Sequence, residues 1–309
     1  MLVYKYGHIK IILILIVVEN FVNMIFTILH VKLLHRICII KILFRGKRMI
    51  SEIIYNYIES NFNYSDEFVN LPNDIKTEIK NNWENLLSIG KNYTNGELFT
   101  VDTIKYEKGI LDFNVKKTNY AHYLYSIKNN FNGYYLCRSI ASNILPITFD
   151  NYFVLATMSK NTSLANKIKF VGGALSEEDR SVNTLNPLKC ITRETYEELG
   201  LNISDNRNVL NIKPKYFITR KNLSFINTLF IANLNITAKD LLRLFNNYQL
   251  NLNNLNEESE LSSLVFIKND REEIKNFMIK YKDRLIDYLK EVFLVLINER
   301  EANDITTKI

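Results

Sequence analysis

The sequence predicts a mixed α/β chain, either an α+β or an α/β sandwich, from three observations. Strand-like and helix-like segments are interspersed without regular βαβ alternation. The chain of 309 residues is 47% hydrophobic and 12% aromatic, so it can bury a large core. Finally, an apolar strand ends in paired glycines, Gly172 and Gly173, and is followed by a well-capped helix over 187–199.

Residues 1–48 differ from the rest. IILILIVV (11–18) is wholly apolar, Glu19 and Asn20 interrupt it, and FVNMIFTIL (21–29) resumes it. About 20 apolar residues span a bilayer, so one reading is a membrane anchor, although Glu19 at mid-membrane would cost a few kcal/mol. Basic residues flank both ends and no small-residue cleavage site follows. A second reading starts translation at Met49, and a third is a buried helix. The formal net charge is +6. Eight basic residues against Glu19 alone give residues 1–48 a surplus of seven, which leaves 49–309 at −1. A nearly neutral body gives little support to a nucleic-acid partner. A membrane partner enters only through residues 1–48.

Residues 49–63, which begin MISEIIYNYIESNF, and 73–90 read as helices. In the second, Pro72 precedes Asn73 or Asp74 as cap, Ile75, Ile79, Trp83 and Leu86–Leu87 form the apolar stripe, and Gly90 ends it. Strands follow at LFTVDTIKY and ILDFNVKK, with Glu107-Lys108-Gly109 as the turn. KTNYAHYLY continues the sheet or opens a helix. YYLCRSIASNILPI and YFVLATMSK are strands hinged at Phe149–Asn151. After KIKFVGGAL come the helix over 187–199, strands at 210–219 and 224–234, a helix at 237–247, a strand at 263–268 and a long C-terminal helix at 270–299 capped by Asp270. The implied organisation is a leader (1–48), a helical and strand-rich extension (49–144) and a main domain (145–309).

Cys38, Cys137 and Cys190 are odd in number and far apart, and three of the four histidines lie in the first 48 residues. Neither a disulfide framework nor a zinc site is expected, and a reducing cytoplasm fits.

The chemistry concentrates in RETYEELGL (193–201). Asn186 is a good N-cap, Pro187 suits the first helical position and Gly200 suits the stop. Glu194, Glu197 and Glu198 then stand at i, i+3 and i+4 on one face, with Arg193 beside them. Three like charges there call for compensation, and a divalent cation supplies it. Upstream, the glycines of KFVGGAL let backbone approach a ligand closely.

This combination resembles the Nudix hydrolase family, whose signature is G-x5-E-x7-R-E-U-x-E-E-x-G-U, with U a bulky apolar residue. Arg193, Glu194, Glu197, Glu198, Gly200 and Leu201 match, and Thr195 replaces the first apolar position. Five fixed positions match by chance with a probability on the order of 10⁻³ to 10⁻⁴ at ordinary residue usage, which sets coincidence aside. The first half departs: Gly172 and five residues lead to Glu178, but fourteen residues then separate Glu178 from Arg193 where the family has seven. The extra SVNTLNP reads as a loop outside the metal-binding surface, and the role of Glu178 stays open.

The resemblance implies an α/β/α sandwich with a mixed central sheet. It also implies hydrolysis of a nucleoside diphosphate linked to another moiety, with Mg²⁺ or Mn²⁺. Glu197 and Glu198 are the leading metal ligands, with Glu194 and the carbonyl of Gly172. Glu194 is alternatively a general base, and Arg193 orients a glutamate by a salt bridge. A further acidic ligand is expected from Glu257, Glu258 or Glu260, with Glu258 preferred. Gly172, Gly173 and Arg220 are candidate substrate contacts, and Tyr216 and Phe217 are either substrate contacts or core. The insertion inside the motif is similar in layout to the subgroup acting on UDP-sugars. A non-catalytic nucleotide-binding module and an RNA 5′-end pyrophosphohydrolase are the alternatives.

Overall fold

The structure, a computed structural model, describes residues 52–306 apart from 92, 130–134, 163 and 221–222. The leader 1–48 and the start at Met49 lie outside the described residues, which all belong to one compact unit. Among the described residues, no helix is long and apolar enough to cross a membrane. Cys137 and Cys190 are free and buried, and Cys38 lies outside the described residues.

The first correction comes at once. The helix expected at 49–63 is instead two strands, β1 (Glu52–Asn56) and β2 (Ser60–Phe68). The segment is rich in Ile, Tyr and Phe, which favour a pleated surface, and Phe62 and Tyr64 are buried at a spacing of two. Helix α1 (Asn73–Ser88) follows as expected, although Pro72 itself occupies the cap position. Ile79 buries beside Leu71 and Ala121, with Trp83 packed against them. Strands β3 (Glu97–Glu107) and β4 (Ile110–Asn119) form a hairpin. Its two-residue turn takes positive φ at Lys108 (52°) and Gly109 (88°), which matches the twist of the paired strands. Asn119 then caps α2 (Tyr120–Lys128), which resolves KTNYAHYLY as strand end plus helix.

Strands β5 (Ser139–Ile147) and β6 (Tyr152–Met158) flank the expected hinge, and the expected boundary at 144/145 falls inside β5. Next come β7 (Ile168–Lys169), β8 (Val171–Ala174), a short 3-10 turn (Glu177–Asp179), β9 (Arg180–Ser181), β10 (Thr184–Leu185) and α3 (Pro187–Leu199). The insertion is therefore a small hairpin, and Thr184 pairs with Asn63 of β2. Strands β11 (Val209–Arg220) and β12 (Phe225–Leu234), helix α4 (Ala238–Asn254) and strand β13 (Leu261–Lys268) complete the sheet.

The single C-terminal helix expected at 270–299 is broken into α5 (Arg271–Lys280) and α6 (Asp287–Thr306). The reason is tertiary. Ile168 N–H donates to Arg284 O at 2.7 Å and Ile286 N–H to Ile168 O at 3.1 Å, so the intervening backbone serves as an edge for β7. Asp270 caps α5 as predicted, accepting from the N–H groups of Glu272 and Glu273.

The sheet is mixed. Its main path runs β1-β11-β12-β5-β3-β4-β2-β10-β9, and β13-β6-β7 and β8 branch from β5. The pairs β12–β5 and β2–β4 are parallel, and the rest are antiparallel. β6 is buried on both faces, and successive side chains point to opposite sides. Val154 and Ala156 pack with Ile191 and Leu199 of α3 and Leu241 and Phe245 of α4. Phe153 packs instead on Phe293 of α6, with ring centroids 5.8 Å apart. Helices thus cover both faces around β6, which makes the layered α/β/α arrangement.

A second core joins the N-terminal strands to the rest of the sheet. Phe113 stacks on Phe62 at 4.9 Å and on Phe217 of β11 at 5.7 Å. Phe113→Ala is expected to lower the unfolding free energy by about 3–5 kcal/mol in a urea titration, as for other buried Phe→Ala changes. Because this core spans residue 144, far-UV and tyrosine signals are expected to shift together.

Candidate active site

Helix α3 carries the three glutamates, and its ends are set locally. Asn186 Oδ1 accepts from Leu188 N–H at 2.9 Å, Pro187 opens the helix, and Gly200 closes it in the left-handed region at φ 69°. Ile191, Thr195 and Leu199 face the core, and the adjacent stripe runs from the buried Glu198 through Glu194 to the exposed Glu197, along β8.

β8 pairs antiparallel with β5, with Gly172 opposite Asn143 and Gly173 opposite Ser142. Gly172 has φ 124°, and a Cβ there would run into Ser142 O and Asn143. A Cβ at Gly173 would lie 2.6 Å from Glu194 Oε1. The two glycines thus serve different ends: one allows the backbone its turn against β5, and the other lets a carboxylate rest on the strand.

Each glutamate has its own partners. Glu198 is 5% exposed, and its Oε2 accepts the Gly172 N–H at 2.9 Å. Its Oε1 is bound at 2.7 Å by the ammonium of Lys169, which also donates to Gly172 O at 2.9 Å. Arg193 clamps the other two. Its Nη1 lies 2.9 Å from Glu194 Oε1 and 2.9 Å from Glu197 Oε2. On its far side Nε and Nη2 grip Asp179, at 3.1 and 3.0 Å, in a two-pronged bond to a carboxylate that is 1% exposed. Arg193 thus pairs with two glutamates and an aspartate.

Lys169 and Asp179 were not among the sequence candidates. Glu178, the residue reached by the Gly172 spacing, is exposed, and its neighbour Asp179 binds Arg193. A local signal existed: Ser176-x-x-Asp179 is a capping pair, and Asp179 Oδ2 accepts the Ser176 N–H at 2.8 Å. Lys169 was signalled only as the lone charge in an otherwise apolar strand.

Glu258, the preferred additional ligand, is exposed and accepts from Asn161 Nδ2 at 3.4 Å. It is Glu260 whose charge acts on Glu198. Tyr216 and Phe217 are buried core residues, not substrate contacts. Arg220 lines a cavity of about 600 Å³ together with Tyr120, Tyr123, Phe225, Tyr288 and Lys169. Gly172 and Gly173 form part of the same wall, so the cavity adjoins the carboxylates. Tyr120 stacks on Tyr123 with centroids 5.9 Å apart, and Phe225 on Tyr288 at 5.7 Å.

The electrostatics carry a surplus. With every carboxyl ionised, Asp179, Glu194, Glu197 and Glu198 supply four negative charges against two positive ones from Lys169 and Arg193. Burial, together with the nearby Glu198 charge, pushes the Glu194 carboxyl up to about 7. Burial raises Glu198 too, against the lowering by Lys169 and the Gly172 N–H. Among the described residues, no three His, Cys, Asp or Glu side chains converge on one point. The donor chemistry nevertheless fits a hard divalent cation: clustered carboxylates, a backbone carbonyl and two negative charges in excess.

Neither a family model nor a curated protein matches the chain. Solved structures similar to it include several described as Nudix hydrolases. They include a MutT protein from Methanosarcina mazei (16% identity, TM-score 0.31, covering 52% of this chain and 94% of that one). A Nudix hydrolase from Nitrosomonas europaea matches at 10% identity and TM-score 0.31, over 52% of this chain and 88% of that one. Another, from Alicyclobacillus acidocaldarius, matches at 10% identity and TM-score 0.33, over 52% and 91%. The functional reading below rests on the side chains already described.

Two outcomes follow from the geometry. The folded state holds a proton on Glu194 that the unfolded chain has already lost between the ordinary carboxylate range and about pH 7. Stability in EDTA is therefore greatest below that window and falls as pH rises through it, and Glu194→Gln flattens the fall in thermal melts. The nearest atoms that a Cβ in Gly173→Ala would meet are the carboxyl group of Glu194, so that side chain must shift against its Arg193 partner. The variant's folding cost at low pH is expected to be about 1–3 kcal/mol, while the same pH slope weakens.

Proposed function

We propose that this chain is a Nudix-type pyrophosphohydrolase that cleaves a nucleoside diphosphate linked to another moiety, by attack of water on phosphorus. The observation that carries this reading is the packing of the glutamate stripe of α3 on the Gly172–Gly173 backbone, at the wall of the 600 Å³ cavity. Mg²⁺ or Mn²⁺, when bound, neutralises phosphoryl charge and acidifies a water. Glu197 and Glu198 would hold it, joined by the Gly172 carbonyl, which leaves Glu194 free for the proton.

The remaining roles belong to the chain itself. The stacked aromatic pairs Tyr120–Tyr123 and Phe225–Tyr288 offer flat faces to a base. Arg220, at the cavity wall, meets substrate anion. Glu194, whose pKa lies near neutrality, takes a proton from the attacking water. Arg193 keeps Glu194 and Glu197 oriented and does not touch the substrate. A nucleotide sugar fits the pairing of an aromatic cavity with the insertion in the motif. Metabolite binding without turnover is the second reading, favoured by one observation: a lysine already compensates Glu198.

The test is a panel of nucleotide sugars, dinucleotides and nucleoside triphosphates with Mg²⁺ or Mn²⁺, read as release of nucleoside monophosphate. Turnover is expected for at least one nucleotide sugar, and Glu194→Gln is expected to lower kcat by about 10²–10⁴-fold. The double change Glu197→Gln with Glu198→Gln abolishes it. Tight binding of a panel member by well-folded protein with no turnover selects the binding reading instead.

A further inference from the structure

Lys169 is the least expected residue of the site. It sits in a two-residue strand between Ile168 and Phe170, both fully buried, and is itself only 9% exposed. A buried ammonium needs strong partners, and it has them in Glu198 Oε1 and Gly172 O, at 2.7 and 2.9 Å. A carboxylate oxygen beside a backbone carbonyl oxygen is also the donor pair that hard divalent cations select. One cation therefore already occupies the pair that a second would use. The two cannot share it, because like charges at such separation repel strongly out of water. Nor is the lysine locked in place. Lys169 is also among the residues that line the 600 Å³ cavity, which gives a long flexible side chain somewhere to go.

We propose that Lys169 is a built-in competitor for the divalent cation: its ammonium holds the Glu198–Gly172 oxygen pair, and the ion binds by displacing it into the cavity. This inference rests on the cation-dependent reading above. It adds that the site is never bare of positive charge. Without the ion, the lysine keeps Glu198 compensated and the fold intact. With the ion bound, the displaced ammonium faces the cavity, where a diphosphate brings negative charge. Loading of the ion and of an anionic substrate are thereby coupled, since a substrate that takes up the ammonium removes the competitor.

The experiment measures Mn²⁺ binding to the full chain, by the free-ion EPR signal, in the wild type and in Lys169→Met. The variant keeps the length of the side chain and removes its charge. Its Mn²⁺ affinity is expected to rise about 10-fold or more. Its melting temperature in EDTA is expected to fall below that of the wild type and to be restored by Mn²⁺. A second measurement uses the wild type alone: acetylation of Lys169 by an amine-reactive reagent, read by mass spectrometry, is expected to be low in EDTA and to rise with Mn²⁺. Equal Mn²⁺ affinities together with unchanged acetylation overturn the inference and leave the cation-dependent function standing. Absence of Mn²⁺ binding to both proteins at millimolar concentration removes the cation reading, and the inference with it. Should Lys169→Met fail to fold, the acetylation decides alone: a rise supports displacement, and no change overturns it.

Discussion

Charge compensation on one face of α3 is the constraint on which the rest of the site depends. Three carboxylates within five residues repel one another, and two of them are largely removed from water. Breaking a buried ion pair costs about 3–5 kcal/mol, because the partner left behind stays charged and desolvated. The helix can therefore pack on β8 only if cations are delivered from elsewhere. Arg193 supplies one from the helix itself and is tied down by Asp179 of the preceding 3-10 turn. Lys169 supplies the other from β7. The glutamates are divided between the two: Glu198 pairs with Lys169, and Glu194 and Glu197 with Arg193.

The strands explain why the carboxylates lie against backbone at all. β5 takes β12 as a parallel neighbour on one side and β8 on the other, so Gly172 and Gly173 are pinned across from Asn143 and Ser142. Only residues without a Cβ let Glu194 rest where it does and let the Gly172 peptide turn both its N–H and its carbonyl toward the Glu198–Lys169 pair. The polar layer continues behind: Asn227 donates to Asn143, and Tyr288 OH reaches Asn143 Oδ1 at 3.3 Å. Through Tyr288, helix α6 is joined to the strand that carries the site. The same residue lines the cavity, so the helix that closes the second face of the sandwich also builds the substrate wall.

Legibility in the sequence followed the range of the forces involved. The α3 helix was read to the residue, because Asn186, Pro187 and Gly200 act within a turn of where they stand. The β3–β4 turn was read for the same reason. Errors came where distant partners overruled local pattern. Residues 52–68 carry a spacing that also suits a helix, yet β1 is claimed by β11 and β2 by β4, far along the chain. The C-terminal helix was expected to run unbroken, but β7 required an edge and took the backbone at 284–286. Nothing local separates the exposed neighbours Glu258 and Glu260, and of the two it is Glu260 whose charge acts on Glu198.

What the sequence by itself determined is the presence of a capped helix with three carboxylates on one face, an arginine beside them and paired glycines at the end of a strand. Spacing and backbone freedom settle these, and both are properties of a few adjacent residues. What only the tertiary structure decided is the origin of the balancing charge. Lys169 stands 29 positions from Glu198 and Asp179 stands 14 from Arg193, distances across which no periodicity connects residues. A lysine in an apolar strand can point to solvent or to a buried acid with equal local cost. Packing on both faces of the sheet takes the first option away, and the carboxylate on the neighbouring helix makes the second favourable.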